Sequence, residues 1–242
     1  MVITSTSNSK IKEAKKLLDK KYSSSKRLFL IEGENLVTEA IKNNLLVELF
    51  VLDGIDINID FDYINVSLNV MKELSDLKST PRMIGVSKYI DKNDLVKRIV
   101  ILDDVQDPGN IGTIVRNSVA FDIDTLVLSK KCANVYSPKV LRSTGGMIYN
   151  INIIIDELEN VVDKIKKSNI RLIGTSLEKS KSLEEIDKLE SYAVIFGNEG
   201  NGVSKDLLNK CDDIVRIDMN NMCESLNVGV SSGIFLYHMF KR

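Results

Sequence analysis

From residue 99 onward the chain repeats one pattern: a short, almost uninterrupted apolar run, a polar turn, then a segment with helical spacing. The runs at 99–102, 125–128, 151–155, 171–173, 192–196 and 214–217 are too short for helices and too uniformly apolar for strands with one wet face. They predict a mostly parallel sheet covered on both sides, the core of an α/β fold. Helices are predicted between them at 111–121, at 137–144 with Ser137 as N-cap and Pro138 in the first turn, at 157–168 and at 225–240.

The residues before this region form a second, smaller alternation. Helical spacing at 8–18 and 34–42 surrounds extended apolar runs at 27–31, 47–52 and 63–66, and Ser67 is a suitable N-cap for a helix through 77. The polar stretch 78–82 holds one of only three prolines, so the link between two domains is predicted from there to about residue 93, with a short strand at 85–90. The domains are then 1–93 and 94–242, and 242 residues suffice for both.

Composition removes several classes of function. Lys and Arg number 33 against 34 Asp and Glu, so net charge does not announce a polyanionic partner. The distribution does more: Lys10, Lys12, Lys15, Lys16, Lys20, Lys21, Lys26 and Arg27 face only Glu13 and Asp19 in the first 31 residues. Such a segment either meets phosphates or is a solvated helix face. Cys132, Cys211 and Cys223 are widely spaced with no Cys-x-x-Cys pair, which argues against a disulfide framework and a zinc knuckle. His238 is the single histidine, which excludes a His-rich metal site and argues against a Ser-His-Asp triad, so no metal is expected. There is no basic-then-apolar leader and no apolar run near the ~18 residues of a membrane span, so a cytoplasmic protein with no membrane partner is expected.

In open α/β sheets, ligands sit at the carboxyl ends of the strands, and three polar loops there stand out. The first, 104–116, reads as a tight turn leading into a helix with Asn110 near its cap, and sets Arg116 on an otherwise apolar helix. That arginine is either a structural salt-bridge partner or a bidentate holder of phosphate or carboxylate. The second, 196–204, carries Gly197, Gly200 and Gly202 around Glu199. It is either a glycine-rich turn or a site where backbone approaches a ligand, and its carboxylate disfavours a phosphate. The third, 217–228, leads into a helix with Ser225 placed as N-cap. Gly229, Ser231, Ser232 and Gly233 fit that helix for close packing on another backbone, of the same chain or of a partner.

Together the three loops resemble, in order and spacing, the three motifs of the SpoU (TrmH) family of RNA ribose 2′-O-methyltransferases in the SPOUT superfamily. Asn110-x-Gly112 with Arg116 is similar to the first motif, Gly197-Asn198-Glu199-Gly200 with Gly202 to the second, and Ser225-Leu226-Asn227-Val228 to the third. Arg27-Leu28-Phe29-Leu30-Ile31-Glu32-Gly33 resembles the signature of the family's small, ribosomal-protein-like RNA-binding domain. Asp218 stands where the family usually has proline, and Asn221 and Asp122 stand where it usually has glycine.

The resemblance implies a methyltransferase domain closed by a deep trefoil knot, a homodimer formed through it, S-adenosylmethionine as cofactor, and structured RNA, ribosomal by preference, as substrate. It implies cofactor contacts at Thr175, Gly197, Gly202, Ile217, Met219 and Leu226, and RNA contacts at Lys10 and Arg27. Asn110, Ser225 and Asn227 would orient the ribose and Arg116, while Glu199 would steady the second loop or that arginine. A guanidinium does not readily lose a proton, so Arg116 is expected to clamp an RNA phosphate and the developing oxyanion. The rivals are a transfer-RNA enzyme of the same chemistry, a non-catalytic RNA-binding protein of the same fold, and a nucleotide-dependent oxidoreductase or hydrolase. The last lacks a dinucleotide fingerprint after the first strand of the large domain.

Overall fold

The structure is a computed structural model that describes residues 2–75, 77, 79–90 and 95–240. The chain divides into two units, one made of Met1–Ile90 and Asn134–Tyr149, the other of Asp91–Ala133 and Asn150–Arg242. The boundary expected at 93/94, like Lys78 at the start of the expected link, lies outside the described residues.

In the first unit α1 (Ser9–Lys16), capped by Asn8, is followed by α2 (Lys20–Lys26), which apolar periodicity does not reveal because its sequence is KKYSSSK. α2 stops at Arg27 in the left-handed conformation, and the chain enters β1 (Leu28–Glu32), α3 (Glu34–Lys42), β2 (Leu46–Leu52), β3 (Ile64–Val66), α4 (Leu68–Glu73) and β4 (Met83–Lys88). The sheet order is β1-β4-β2-β3. The short strand expected at 85–90 within the link is β4, which starts two residues earlier and is an inner strand: it pairs antiparallel with both β1 and β2 and is buried up to Ser87. Gly85 permits this, since a Cβ there would lie 2.7 Å from the Leu46 side chain. Ile11, Phe50, Val70, Met71 and Ile84 form the core between helices and sheet.

Residues 134–149 complete this unit. They contain α6 (Pro138–Thr144), opened by Ser137 with Pro138 in its first turn as expected, and a 3-10 turn at Met147–Asn150. The Tyr136 ring stacks on Tyr89 at 3.9 Å between centroids and lies 4.7 Å from Phe29, and the Tyr149 hydroxyl meets Ser87 Oγ at 2.9 Å.

The second unit holds β5 (Arg98–Asp103), α5 (Pro108–Ala120), β6 (Thr125–Ser129), β7 (Asn152–Asp156), α7 (Leu158–Lys167), β8 (Arg171–Thr175), β9 (Lys181–Ser182), β10 (Tyr192–Gly197), α8 (Lys205–Leu208), β11 (Asp213–Arg216) and α9 (Val228–Met239). Its seven strands, in the order β7-β6-β5-β10-β8-β11-β9, all pair parallel. Side chains alternate across a strand, and β10 shows both faces covered. Ala193 and Ile195 join a cluster with Val161, Val162 and Ile165 of α7, whereas Tyr192 and Phe196 meet Phe235 of α9 edge-on. β9 and α8 are too short to carry a periodic signal.

Candidate active site

The three loops leave the carboxyl ends of β5, β10 and β11, and β8 lies between the last two. In the first loop Asp104 adopts a left-handed φ of 58°. Its carboxylate accepts from Ser129 Oγ at 2.6 Å and its carbonyl accepts from Asn198 Nδ2 at 2.9 Å. The helix then opens earlier than expected. Asp107, not Asn110, is the N-cap, accepting from the Asn110 amide at 2.9 Å, and Pro108 takes the first turn, where no amide hydrogen is needed. Asn110 therefore sits inside the helix, nearly buried, with its side chain free to make bonds elsewhere.

The second loop is closed on itself. Asn198 and Gly202 exchange backbone hydrogen bonds of 3.1 and 2.9 Å, and a Cβ on Gly197 would lie 2.0 Å from the Gly202 carbonyl carbon. Only glycine fits at 197. The closed loop presents Glu199 to the first loop: one carboxylate oxygen accepts from the Gln106 amide at 3.2 Å, the other from the Asp107 amide at 3.1 Å and Asn110 Nδ2 at 2.9 Å. Partial burial pushes the Glu199 carboxyl up, but the hydrogen bonds from Asn110 and the loop backbones outweigh it and leave the group below the usual carboxylate value. Glu199 thus fastens the first loop rather than Arg116.

In the third loop the cap is again shifted from the expected residue. Asn227 Oδ1, not the Ser225 hydroxyl, accepts from the Gly229 and Val230 amides at 2.9 and 3.3 Å. Asn227 Nδ2 donates to Asn110 Oδ1 at 2.8 Å, so Asn110 joins all three loops, donating to Glu199 and accepting from Asn227. Ser225 is exposed, and its hydroxyl makes no hydrogen bond among the described residues. Of the departures from the family pattern, Asp218 is held by local bonds. Asp218 accepts from Arg216 Nε at 2.9 Å, and the bond with Ser182 together with that guanidinium keeps its carboxyl below the usual value. Asp122, where glycine is usual, has a φ of 55°.

Arg116 is exposed and, among the described residues, has neither ion pair nor hydrogen bond. The salt-bridge alternative for it is therefore not realised within the described chain. The small residues of α9 do pack on the same chain. Asn117 Nδ2 of α5 donates to the Gly229 carbonyl at 2.9 Å and bonds Ser232 Oγ at 3.0 Å, and a Cβ on Gly233 would meet that amide nitrogen at 3.1 Å.

The residues expected to hold the cofactor converge on adjacent strand ends. Thr175 closes β8 and donates to the Ile195 carbonyl at 2.8 Å, Gly197 closes β10, and Ile217 and Met219, both half-buried, follow β11. Leu226 is half-buried and Gly202 exposed. Leu177 and Met222, on the loops after β8 and β11, leave large apolar side chains uncovered. Gln106, Asp107 and Asn198 also bond within the loop junction, and the Asp-Pro pair at 107–108 was a helix-start signal that could have found the cap.

The basic N-terminal run is partly neutralised. Lys10 pairs with Glu48, Lys15 with Glu73 and Lys16 with Glu13, and Arg27 lies over the Tyr89 ring at 4.6 Å. Lys12, Lys20 and Lys21 have no partner among the described residues.

Strand-end loops that bring two side-chain amides, one of them buried, and a carboxylate together beside a glycine-lined turn define a small-molecule site of the parallel α/β class. Comparison with known proteins narrows the class. The SpoU rRNA Methylase family matches residues 97–237, and an MRM3-like substrate binding domain matches 8–85. The chain is 35% identical over 245 residues, covering 98% of both proteins, to the 23S rRNA (guanosine(2553)-2'-O)-methyltransferase RlmP of Bacillus subtilis (strain 168). An RNA 2'-O ribose methyltransferase of known structure superposes with a TM-score of 0.82 at 27% identity, covering 99% of this chain and 98% of that one. The fold is also that of the SpoU methyltransferase AviRb from Streptomyces viridochromogenes in complex with AdoMet, with a TM-score of 0.85 at 21% identity over 96% of this chain and 97% of that one. The chain belongs to the SpoU rRNA methylase family, also called TrmH, of the SPOUT superfamily, and is a methyltransferase.

Proposed function

We propose that this methyltransferase moves the methyl group of S-adenosylmethionine to a ribose 2′-hydroxyl of ribosomal RNA of the 23S type. The observation that carries the reading is the junction at Asn110, which fastens Glu199 and Asn227 to each other at the mouth of the expected cofactor site. The choice of RNA rests on the named substrate of the Bacillus subtilis relative.

Bound S-adenosylmethionine would supply an activated methyl group, and Thr175, Gly197, Gly202, Ile217, Met219 and Leu226 are the residues to hold it. The chain's part is to orient the hydroxyl and stabilise the charge that develops on it. Arg116, permanently charged and without a side-chain partner among the described residues, suits a clamp on an RNA phosphate and the developing oxyanion. Asn110 and Asn227 have their side-chain positions set by the junction, and the free hydroxyl of Ser225 is available to the ribose.

Arg116 and Ser225 are not joined to the Asn110 junction within the chain, so the reading includes a homodimer in which a second copy completes the site. Val230, Ile234 and Tyr237 support it. They recur at i, i+4 and i+7 on α9 and are 51%, 40% and 71% exposed. The reading further includes a trefoil knot, which the insertion of β10 between β5 and β8 suits, and work in the cytoplasm, where the three free cysteines stay reduced.

The test is transfer of labelled methyl from S-adenosylmethionine to RNA from cells lacking the protein, with ribosomal and transfer fractions kept apart. Label in the ribosomal fraction supports the reading; label confined to the transfer fraction replaces ribosomal by transfer RNA.

A further inference from the structure

Residues 134–149 fall inside the methylase match at 97–237 but outside the substrate-binding match at 8–85, yet they pack within the first unit. Their α6 carries an ion pair that stability does not explain. Arg142 Nη1 donates to Glu32 Oε2 at 2.8 Å, with the Glu32 side chain only 2% exposed and the Arg142 side chain 32% exposed. The other carboxylate oxygen, Oε1, is buried with no hydrogen-bond partner among the described residues. A buried carboxylate bonded through one oxygen bears a desolvation cost that a single ion pair often fails to repay, and an apolar pair of the same size would be at least as stable. What the pair does accomplish is to tether one end of the guanidinium, whose remaining donors make no hydrogen bond among the described residues. Lys139, at i−3, shares this face of the helix and is exposed with no side-chain partner among the described residues.

We propose that α6 is part of the RNA-contact surface of the first unit, with Arg142, oriented by Glu32, and Lys139 meeting backbone phosphates of the RNA. This rests on the RNA-methyltransferase reading above. It extends the substrate surface to a stretch of chain that the methylase match covers, so the substrate-binding unit is assembled from two separate segments. Arg142 is the phosphate-contacting residue and Glu32 a positioning residue behind it.

The test is retention of an in vitro transcript of large-subunit ribosomal RNA by the full chain, titrated at several salt concentrations, for the wild type, Lys139→Gln, Arg142→Lys and Glu32→Gln. Thermal midpoints are measured alongside. Lys139→Gln, remote from any packing, is expected to weaken retention about 5- to 10-fold and to flatten the log–log salt slope by roughly one phosphate contact, with an unchanged midpoint. Arg142→Lys keeps the charge but loses the planar fork, and is expected to weaken retention by a similar factor. Glu32→Gln discriminates most sharply. It removes a negative charge, so a guanidinium acting as bare charge would bind RNA more tightly, whereas one that needs orienting binds it less tightly. Retention unchanged in Lys139→Gln and Arg142→Lys, or tightened in Glu32→Gln, overturns the proposal while leaving the methyltransferase reading intact. A wild-type chain that retains no RNA overturns both.

Discussion

Arg116 and Glu199 are both exposed and both charged, but the structure treats them differently. Glu199 holds three donors from the first loop, whereas Arg116 holds nothing among the described residues. Replacing Arg116 with Ala should therefore leave the thermal midpoint and calorimetric S-adenosylmethionine binding unchanged while turnover falls about 10²-fold or more, as for loss of an oxyanion-stabilising donor. Turnover within a few-fold of wild type would remove it from the chemistry. For Glu199 the folded carboxyl lies below its ordinary value of 4.5, so the stabilisation it gives is present above that pH and lost as pH falls through the lowered value. Amide exchange at Gln106 and Asp107 should stay slow from pH 7 down to about 5, and at pH 7 should quicken at one of the two in Glu199→Gln, whose single amide oxygen serves either Gln106 or Asp107 and leaves an NH₂ group against the other. Equal exchange rates in the variant would mean that the loop is held by something else. The polar residues themselves were legible because they cluster in loops between plain strands. Their roles were less so. Asn110 and Ser225 were both expected at caps, and Asp107 and Asn227 took those places, because capping depends on a side chain reaching back two or three amides and either neighbour has the right chemistry.

At the scale of elements, long periodic segments were readable and short or polar ones were not. α3 spans the very residues 34–42 that periodicity predicts, and the six apolar runs of the second unit all became parallel strands. α2 has no apolar stripe, β9 has two residues, and β4 was placed two residues late because a proline-containing polar stretch precedes it. Local sequence also gave no sign that 134–149 would pack with the first unit, since that choice is made by tertiary contacts of Tyr136, Val140, Leu141, Ile148 and Tyr149. Burying five such side chains is worth roughly 10 kcal/mol, comparable with the whole stability of a typical domain of about 5–15 kcal/mol. A fragment ending at residue 90 should accordingly show secondary structure by far-UV circular dichroism but no cooperative melting and little near-UV signal. A sharp thermal transition in that fragment would show that the second segment is dispensable.

For the molecule as a whole, the α/β class was legible because an α/β pattern repeats, whereas a second copy of the chain leaves only indirect traces in one sequence. The small residues of α9 turned out to serve packing on α5, and the exposed row Val230, Ile234 and Tyr237 carries the dimer reading instead. Ile234→Asp should convert a dimer to a monomer by light scattering at micromolar concentration, with turnover lost and the thermal midpoint of the monomer retained to within a few degrees. A wild-type chain that is already monomeric and active would end the idea of a site completed by two copies. The most direct measurement is of where the methyl group goes: RNA methylated by the purified chain is digested to nucleosides and the products are identified by mass spectrometry, wild type beside Arg116→Ala. A 2′-O-methylnucleoside is expected from the wild type, and about a hundredfold less of it from the variant. A base-methylated product, or cofactor binding without transfer to any RNA, would contradict ribose methylation by this chain.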